Sequence, residues 1–152
     1  MFIRNSAKAI ILKDSKVLLT KNVDDEGFFY LFPGGGQEHG KTLSETVKRE
    51  CLEEIGQQVE VGELLHLREY IGKNHEHVEF DRQVHQIETY FVCETKSEQA
   101  IGPTDPDSHQ VGIEWVAVDY LLEYRIYPKD LRKYIQEFEA GKRNRVYLGD
   151  IN

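Results

Sequence analysis

The chain has 152 residues, enough for one sizeable hydrophobic core and too few for two ordinary domains, so a single domain over 1–152 is expected. Its 39% hydrophobic and 11% aromatic content exclude a disordered chain, and a formal net charge of −8 argues against a broad nucleic-acid surface or an anionic-membrane partner. Met1-Phe2-Ile3-Arg4-Asn5 carries no leader-like apolar run, no segment is long enough to span a bilayer, and Cys51 and Cys93 lack paired-motif spacing; reduced thiols and a cytoplasmic setting are the expectation.

Ala9-Ile10-Ile11-Leu12 and Val17-Leu18-Leu19-Thr20, separated by Asp14-Ser15, predict two short strands about a tight turn. Phe28 to Phe32 is a third extended run, leading to Pro33 and the glycines Gly34, Gly35 and Gly36. From Leu43 to Ile55 the period becomes that of a helix. Leu43, Val47, Cys51 and Ile55 recur every fourth residue as an apolar stripe suited to packing on a sheet. Thr42 is the expected N-cap, Glu45 completes a capping box, and Gly56 stands where a C-terminal glycine belongs.

Beyond that helix, Val59-Glu60-Val61 and Leu64 to Ile71 read as extended. Residues 72–85 are polar and hold His75, His77 and His85 with Glu76, Glu79 and Asp81. A zinc site is conceivable there, but the spacing matches no standard zinc pattern and a solvated loop is the preferred reading. His85 to Cys93 alternates in part as a strand, and residues 95–112 form a long loop before a strand over Ile113 to Val118. Asp119 is expected to cap a short helix ending near Tyr124. Pro128 is expected to open another helix, with Leu131, Tyr134, Ile135 and Phe138 on one face and Gly141 closing it. There is no internal repeat. The sum is a mixed β-sheet between helices, with selectivity left to the loops around 22–30, 72–85 and 95–112. Phe28, Phe29, Tyr30 and Trp115 can stack on a base, although core packing is the commoner role.

The helix after the glycines carries the chemistry. At about 100° per residue, Glu50, Glu53 and Glu54 share one side of it, where like charges repel. A Glu-rich helix face is ordinarily no more than a solvated surface. The glycine run, the cap, and Arg49 standing four residues before Glu53 together point instead to a divalent-cation site. Mg²⁺, or Mn²⁺ in its place, prefers oxygen ligands and bridges carboxylates to phosphates.

With those residues in place, the stretch resembles the Nudix box, G-x5-E-x7-R-E-U-x-E-E-x-G-U, where U is bulky and apolar. Gly35, Arg49, Glu50, Glu53, Glu54 and Gly56 fall in register, and Cys51 fills the first U position. Lys41 stands where the first glutamate is expected and Gln57 where the final apolar residue is expected. The resemblance implies an α/β/α sandwich with a mixed sheet. It also implies Mg²⁺-dependent hydrolysis of a nucleoside diphosphate linked to another group: a nucleoside triphosphate, oxidised ones included, ADP-ribose or a nucleotide sugar. The metal ligands it implies are Glu50, Glu53, Glu54 and the carbonyl of Gly34. Glu53 would assist deprotonation of the attacking water, beside Glu50 and with Arg49 ordering the carboxylates. Gly35, Gly36 and Glu38 would meet the substrate, and a further acid outside the box, Asp107 first and Glu98 second, would join the metals or act as base. Glu38 is also the residue placed to compensate for Lys41. Related enzymes are often homodimers. The alternative is a nucleotide-sensing binding module without catalysis, which the intact carboxylates disfavour.

Overall fold

The computed structural model describes residues 1–96 and 102–152. Strands β1 (Arg4–Lys13) and β2 (Lys16–Asp24) form the predicted hairpin. Asp14 and Ser15 turn it with φ of 52° and 59°, the left-handed pair that matches a two-residue loop to the twist of its strands. Both strands outrun their apolar stretches. Arg4-Asn5-Ser6 gives no apolar signal, yet the start of β1 is strand because β6 pairs it throughout and the glycine segment bonds it from Asn5 onward.

Next come β3 (Gly27–Leu31), β4 (Gly34–Gly36) and α1 (Leu43–Ile55), the helix with the predicted bounds. β5 (Val59–Ile71) joins two runs read separately, with register shifts around Leu64 that explain the gap between them. A 3-10 turn (Gly72–Asn74) and the short α2 (Val78–Asp81) lie where a loop was predicted. The chain continues through β6 (His85–Thr95), β7 (Gln110–Ala117), β8 (Ile126–Tyr127), α3 (Leu131–Glu139) and β9 (Tyr147–Asp150).

Among the described residues the strands run in the order β8-β3-β2-β1-β6-β5-β9, with β4 on β1 and β7 on β2. The sheet is mixed: β1–β6, β3–β8 and β5–β9 are parallel, the other pairs antiparallel. Side chains alternate faces along β1. Ala7, Ala9 and Ile11 pack with Val47, Cys51 and Ile55 of α1, so the apolar stripe meets the sheet as predicted. Burial of Val47 and Ile55 stabilises that contact by about 1.5–3 kcal/mol each. Ile10 points the other way and joins Leu19, Tyr90, Leu131 and Ile135 beneath α3. Helices therefore cover both faces, the layering of an α/β/α sandwich.

Two local expectations are corrected. Asp119 caps no helix: a 3-10 segment (Val118–Glu123) starts after Ala117, and the Val118 N–H is already bonded to the Ser15 carbonyl, so no side-chain acceptor is needed there. Pro128 precedes α3 rather than opening it; its carbonyl accepts from the Leu131 N–H, and Asp130 is the N-cap residue. Among the described residues no helix is long and apolar enough to cross a membrane.

Candidate active site

The glycine strand and the carboxylate helix meet at close range. β4 pairs with β1 as Ser6–Gly36, Ala7–Gly35 and Lys8–Gly34. A Cβ on Gly35 would lie 2.6 Å from the Glu50 carboxylate, so any larger residue there would displace that carboxylate from its place beside Arg49. α1 is fixed at its start by Thr42, whose hydroxyl accepts from the Glu45 N–H at 3.1 Å, and at its end by Gly56 with φ 65°.

Arg49 ties the acids together. Its guanidinium pairs with Glu50 at 2.7 Å, Glu38 at 2.9 Å and Glu53 at 3.7 Å, and it donates to the Gly36 carbonyl at 3.1 Å. Lys41 is exposed, and Glu38, three residues earlier, supplies a carboxylate to Arg49. Burial, then repulsion from Glu50, raises the Glu53 carboxyl above its ordinary range. Glu54 is almost fully enclosed, and its carboxylate accepts the Gly34 N–H at 2.8 Å. Burial pushes it up to about 8, with Lys8 and the Gly34 N–H opposing and Asp107 and Glu50 adding to the rise.

These observations bear on whether the site suits a divalent ion. Glu50, Glu53, Glu54 and the Gly34 carbonyl are all hard oxygen donors, and Glu54 is a buried carboxylate without enough positive charge beside it. That donor set fits Mg²⁺ or Mn²⁺. Among the described residues no three His, Cys, Asp or Glu side chains are already gathered as a ligand cage; Glu50 and Glu53 are turned toward Arg49 instead. The Gly34 carbonyl accepts from the Lys8 ammonium at 3.3 Å.

The loop after residue 102 finishes the helix. Asp105 N–H donates to the Glu53 carbonyl at 2.9 Å, the Thr104 hydroxyl to Leu52 at 3.3 Å, and Gln110 Nε2 to Glu54 at 2.7 Å, satisfying carbonyls that a helix end leaves open. This brings Asp107 within electrostatic reach of Glu54. It also brings in Asp105, which acts on Glu53 and which sequence reasoning missed because its position depends on a contact across some fifty residues of chain. Glu98 lies outside the described residues. The histidines of 72–85 do not gather: His75 bonds Asp150 at 2.6 Å, His85 bonds Glu69 at 3.0 Å, and His77 packs edge-on to Tyr127.

A cleft of about 730 Å³ opens on the α3 side of the sheet, lined among others by Phe29, Arg68, Tyr70, Gln86, His109 and Tyr127. Arg125 lies against the rings of Phe29 and Tyr127 and is held bidentately by Asp24 at 2.8 Å. Of the aromatics singled out in the sequence, Phe29 lines this cleft, Tyr30 is core, and Phe28 and Trp115 are exposed. Lys8 and Arg4 of β1 flank the glycines, and no sequence motif flagged them.

Comparison with known proteins gives the same picture. The family model described as "NUDIX domain" matches residues 3–138. Nucleoside triphosphatase NudI of Enterobacter sp. (strain 638) is 38% identical over 55 residues, covering 34% of this chain and 39% of that protein. NudI of Escherichia coli O139:H28 is 38% identical over 58 residues, covering 36% and 41%. The chain thus spans about two fifths of the length of these curated relatives. Among solved structures, a NUDIX hydrolase from Nitrosomonas europaea superposes with a TM-score of 0.74 at 20% identity over 93% of this chain and 92% of that one. An ADP-ribose pyrophosphatase from Streptococcus suis 89-1591 gives 0.64 at 19%, over 97% and 98%. Such identities speak for the fold.

Proposed function

This chain belongs to the NUDIX domain family, and from that premise we propose that it is a Mg²⁺-dependent hydrolase of a nucleoside diphosphate linked to a further group. The observation that carries the reading is the meeting of the carboxylate helix with the glycine strand: Glu54 is buried and accepts the Gly34 N–H at 2.8 Å, and the Glu50 carboxylate lies directly against Gly35. Glu50, Glu53 and Glu54, with the Gly34 carbonyl, would hold the ion, whose chemistry is to neutralise the diphosphate and acidify water.

The chain's own residues supply the rest. Glu53 is partly exposed and raised above the usual carboxylate range, which suits a group that takes a proton from attacking water. Arg49 anchors Glu50, Glu53 and Glu38 at once and so fixes the spread of the acids. Gly35 and Gly36 let the substrate come close to backbone, and Glu38 stands at the rim of the same site. Asp107, and Asp105 beside it, are the competing candidates for the proton acceptor. Similarity to a nucleoside triphosphatase and an ADP-ribose pyrophosphatase supports nucleoside triphosphates and ADP-ribose as the substrates to try first.

Release of phosphate or nucleotide products, identified by mass, from a panel of such compounds with and without Mg²⁺ tests this. Glu53→Gln is expected to keep the fold and lose about 10²–10⁴-fold in turnover. Near-normal Mg²⁺-dependent rates in that variant reject the role given to Glu53, and binding without turnover across the panel favours a nucleotide sensor.

A further inference from the structure

β4 consists of glycine alone: Gly35 and Gly36 lie against charged side chains, and Gly34 lies against the backbone of β1 with the Lys8 side chain beside it. Consecutive strand residues point to opposite faces. On one face, a Cβ at Gly35 would strike the Glu50 carboxylate. On the other, a Cβ at Gly36 would lie 2.6 Å from the Arg4 guanidinium, while one at Gly34 would first meet the Ala7 carbonyl at 2.2 Å and then the Lys8 side chain at 2.7 Å. The strand is therefore a thin partition, with anions against one side and two cations against the other.

The cations are under-used by the protein. Among the described residues Arg4 forms no ion pair or hydrogen bond. Lys8 makes a single bond, to the Gly34 carbonyl, and its influence on Glu54 and Glu88 is felt without a direct ion pair. Arg4 and Lys8 stand four residues apart on one face of β1. In register beside Arg4 on β6 is Gln86, which lines the 730 Å³ cleft together with Arg68. Lys8 thus stands beside the box at Gly34, and Arg4 beside a residue of the cleft wall. In a chain of net charge −8, unpaired cations beside an acidic site call for an anionic ligand.

We infer that Lys8 and Arg4 bind the phosphate oxygens of the substrate that face away from the carboxylates, so that the diphosphate is gripped across the glycine strand by charge of both signs. This rests on reading the site as one for a nucleoside diphosphate derivative. The bland role, counter-charge for Glu54 and Glu88, makes a different forecast.

Calorimetric titration with α,β-methylene-ADP, a non-hydrolysable diphosphate, in the presence of Mg²⁺ separates the two. Arg4→Met and Lys8→Met are each expected to weaken binding by about tenfold or more, as loss of a charge-assisted contact should. For Arg4→Met, melting temperature and Mn²⁺ affinity measured without nucleotide should stay at wild-type values, and Lys8→Arg should retain most of the nucleotide binding. Arg4 is exposed, so its variant tests the claim even where Lys8→Met folds poorly. Wild-type binding in both variants, or a loss that only tracks weakened Mn²⁺ binding, overturns the inference alone. A wild-type protein that neither binds the analogue nor hydrolyses any diphosphate overturns it together with the functional reading.

Discussion

Glu54 and Glu88 are both almost fully enclosed carboxylates, one on α1 and one on β6, and the protein treats them in opposite ways. Glu88 accepts from Arg68 Nε at 2.7 Å and from the Tyr90 hydroxyl at 2.8 Å, with Arg68 Nη2 at 2.6 Å. Burial alone would raise it, but attraction to Arg68, then Lys8, and these bonds hold it below its ordinary value. Glu54 is also buried, but it has only the charge of Lys8, which makes no ion pair with it, and one backbone N–H bond, and it rises to about 8. Desolvation is common to both; compensation is not. A carboxylate whose charge the chain itself completes is part of the scaffold. One left incomplete marks where something from outside is to bind.

Breaking the finished pair should have the largest effect. Arg68→Ala leaves Glu88 buried without its partner and frees the Ile151 carbonyl that Arg68 also holds at 2.6 Å, so urea unfolding at neutral pH should show a loss of about 3–5 kcal/mol. The pH dependence follows from the sign of the shift. Glu88 lies below its ordinary 4.5, so its contribution is present above that value and is lost as pH falls through the lower folded value. The gap between wild type and Arg68→Ala should therefore narrow in strong acid; a gap constant with pH removes Glu88 from the explanation.

The unfinished site should respond with the reverse sign and a smaller size. Glu54→Gln keeps an oxygen for the Gly34 N–H while discarding the uncompensated charge. In EDTA it should stabilise the protein by about 1–3 kcal/mol, and its Mn²⁺ affinity should fall. A destabilised variant in EDTA would mean that Glu54 is completed after all. The smallest effect is expected at Lys41. Glu38 already meets Arg49 on the exposed rim, where an ion pair is worth about 0–1 kcal/mol, so Lys41→Glu should leave the curve of rate against Mg²⁺ within about twofold of wild type.

The contrast also marks what could be read from the sequence. α1 was legible to the residue because its signals are local: the Thr42 cap, the fourfold apolar stripe and Gly56 all lie within one element. The carboxylates were legible for the same reason. The glycines were noticed, but their surroundings were not, since the groups that crowd them are Glu50 on a helix and Arg4 and the Ala7 carbonyl on another strand. Arg4-Asn5-Ser6 gave no strand signal because pairing with the distant β6, not side-chain pattern, makes it a strand. Asp105 and Gln110 came to the helix end through tertiary contacts that no window of sequence contains. Asp119 and Pro128 were over-read, since backbone bonds already served the donors they were expected to satisfy or frame.

The parallel pairing of β1 with β6 sets the order in which this protein can be built. Arg4 comes to lie beside Gln86, so the strand that positions the glycines pairs early with β2 and β4 but finds its parallel partner only after the intervening elements exist. A chain emerging from its N-terminus holds the whole of the box, from Gly35 to Gly56, well before β6 is available to fix it in place. Non-local parallel contacts of this kind slow folding. The acids and the cations of the site thus meet late, and a truncated or stalled chain carries the motif without the cleft.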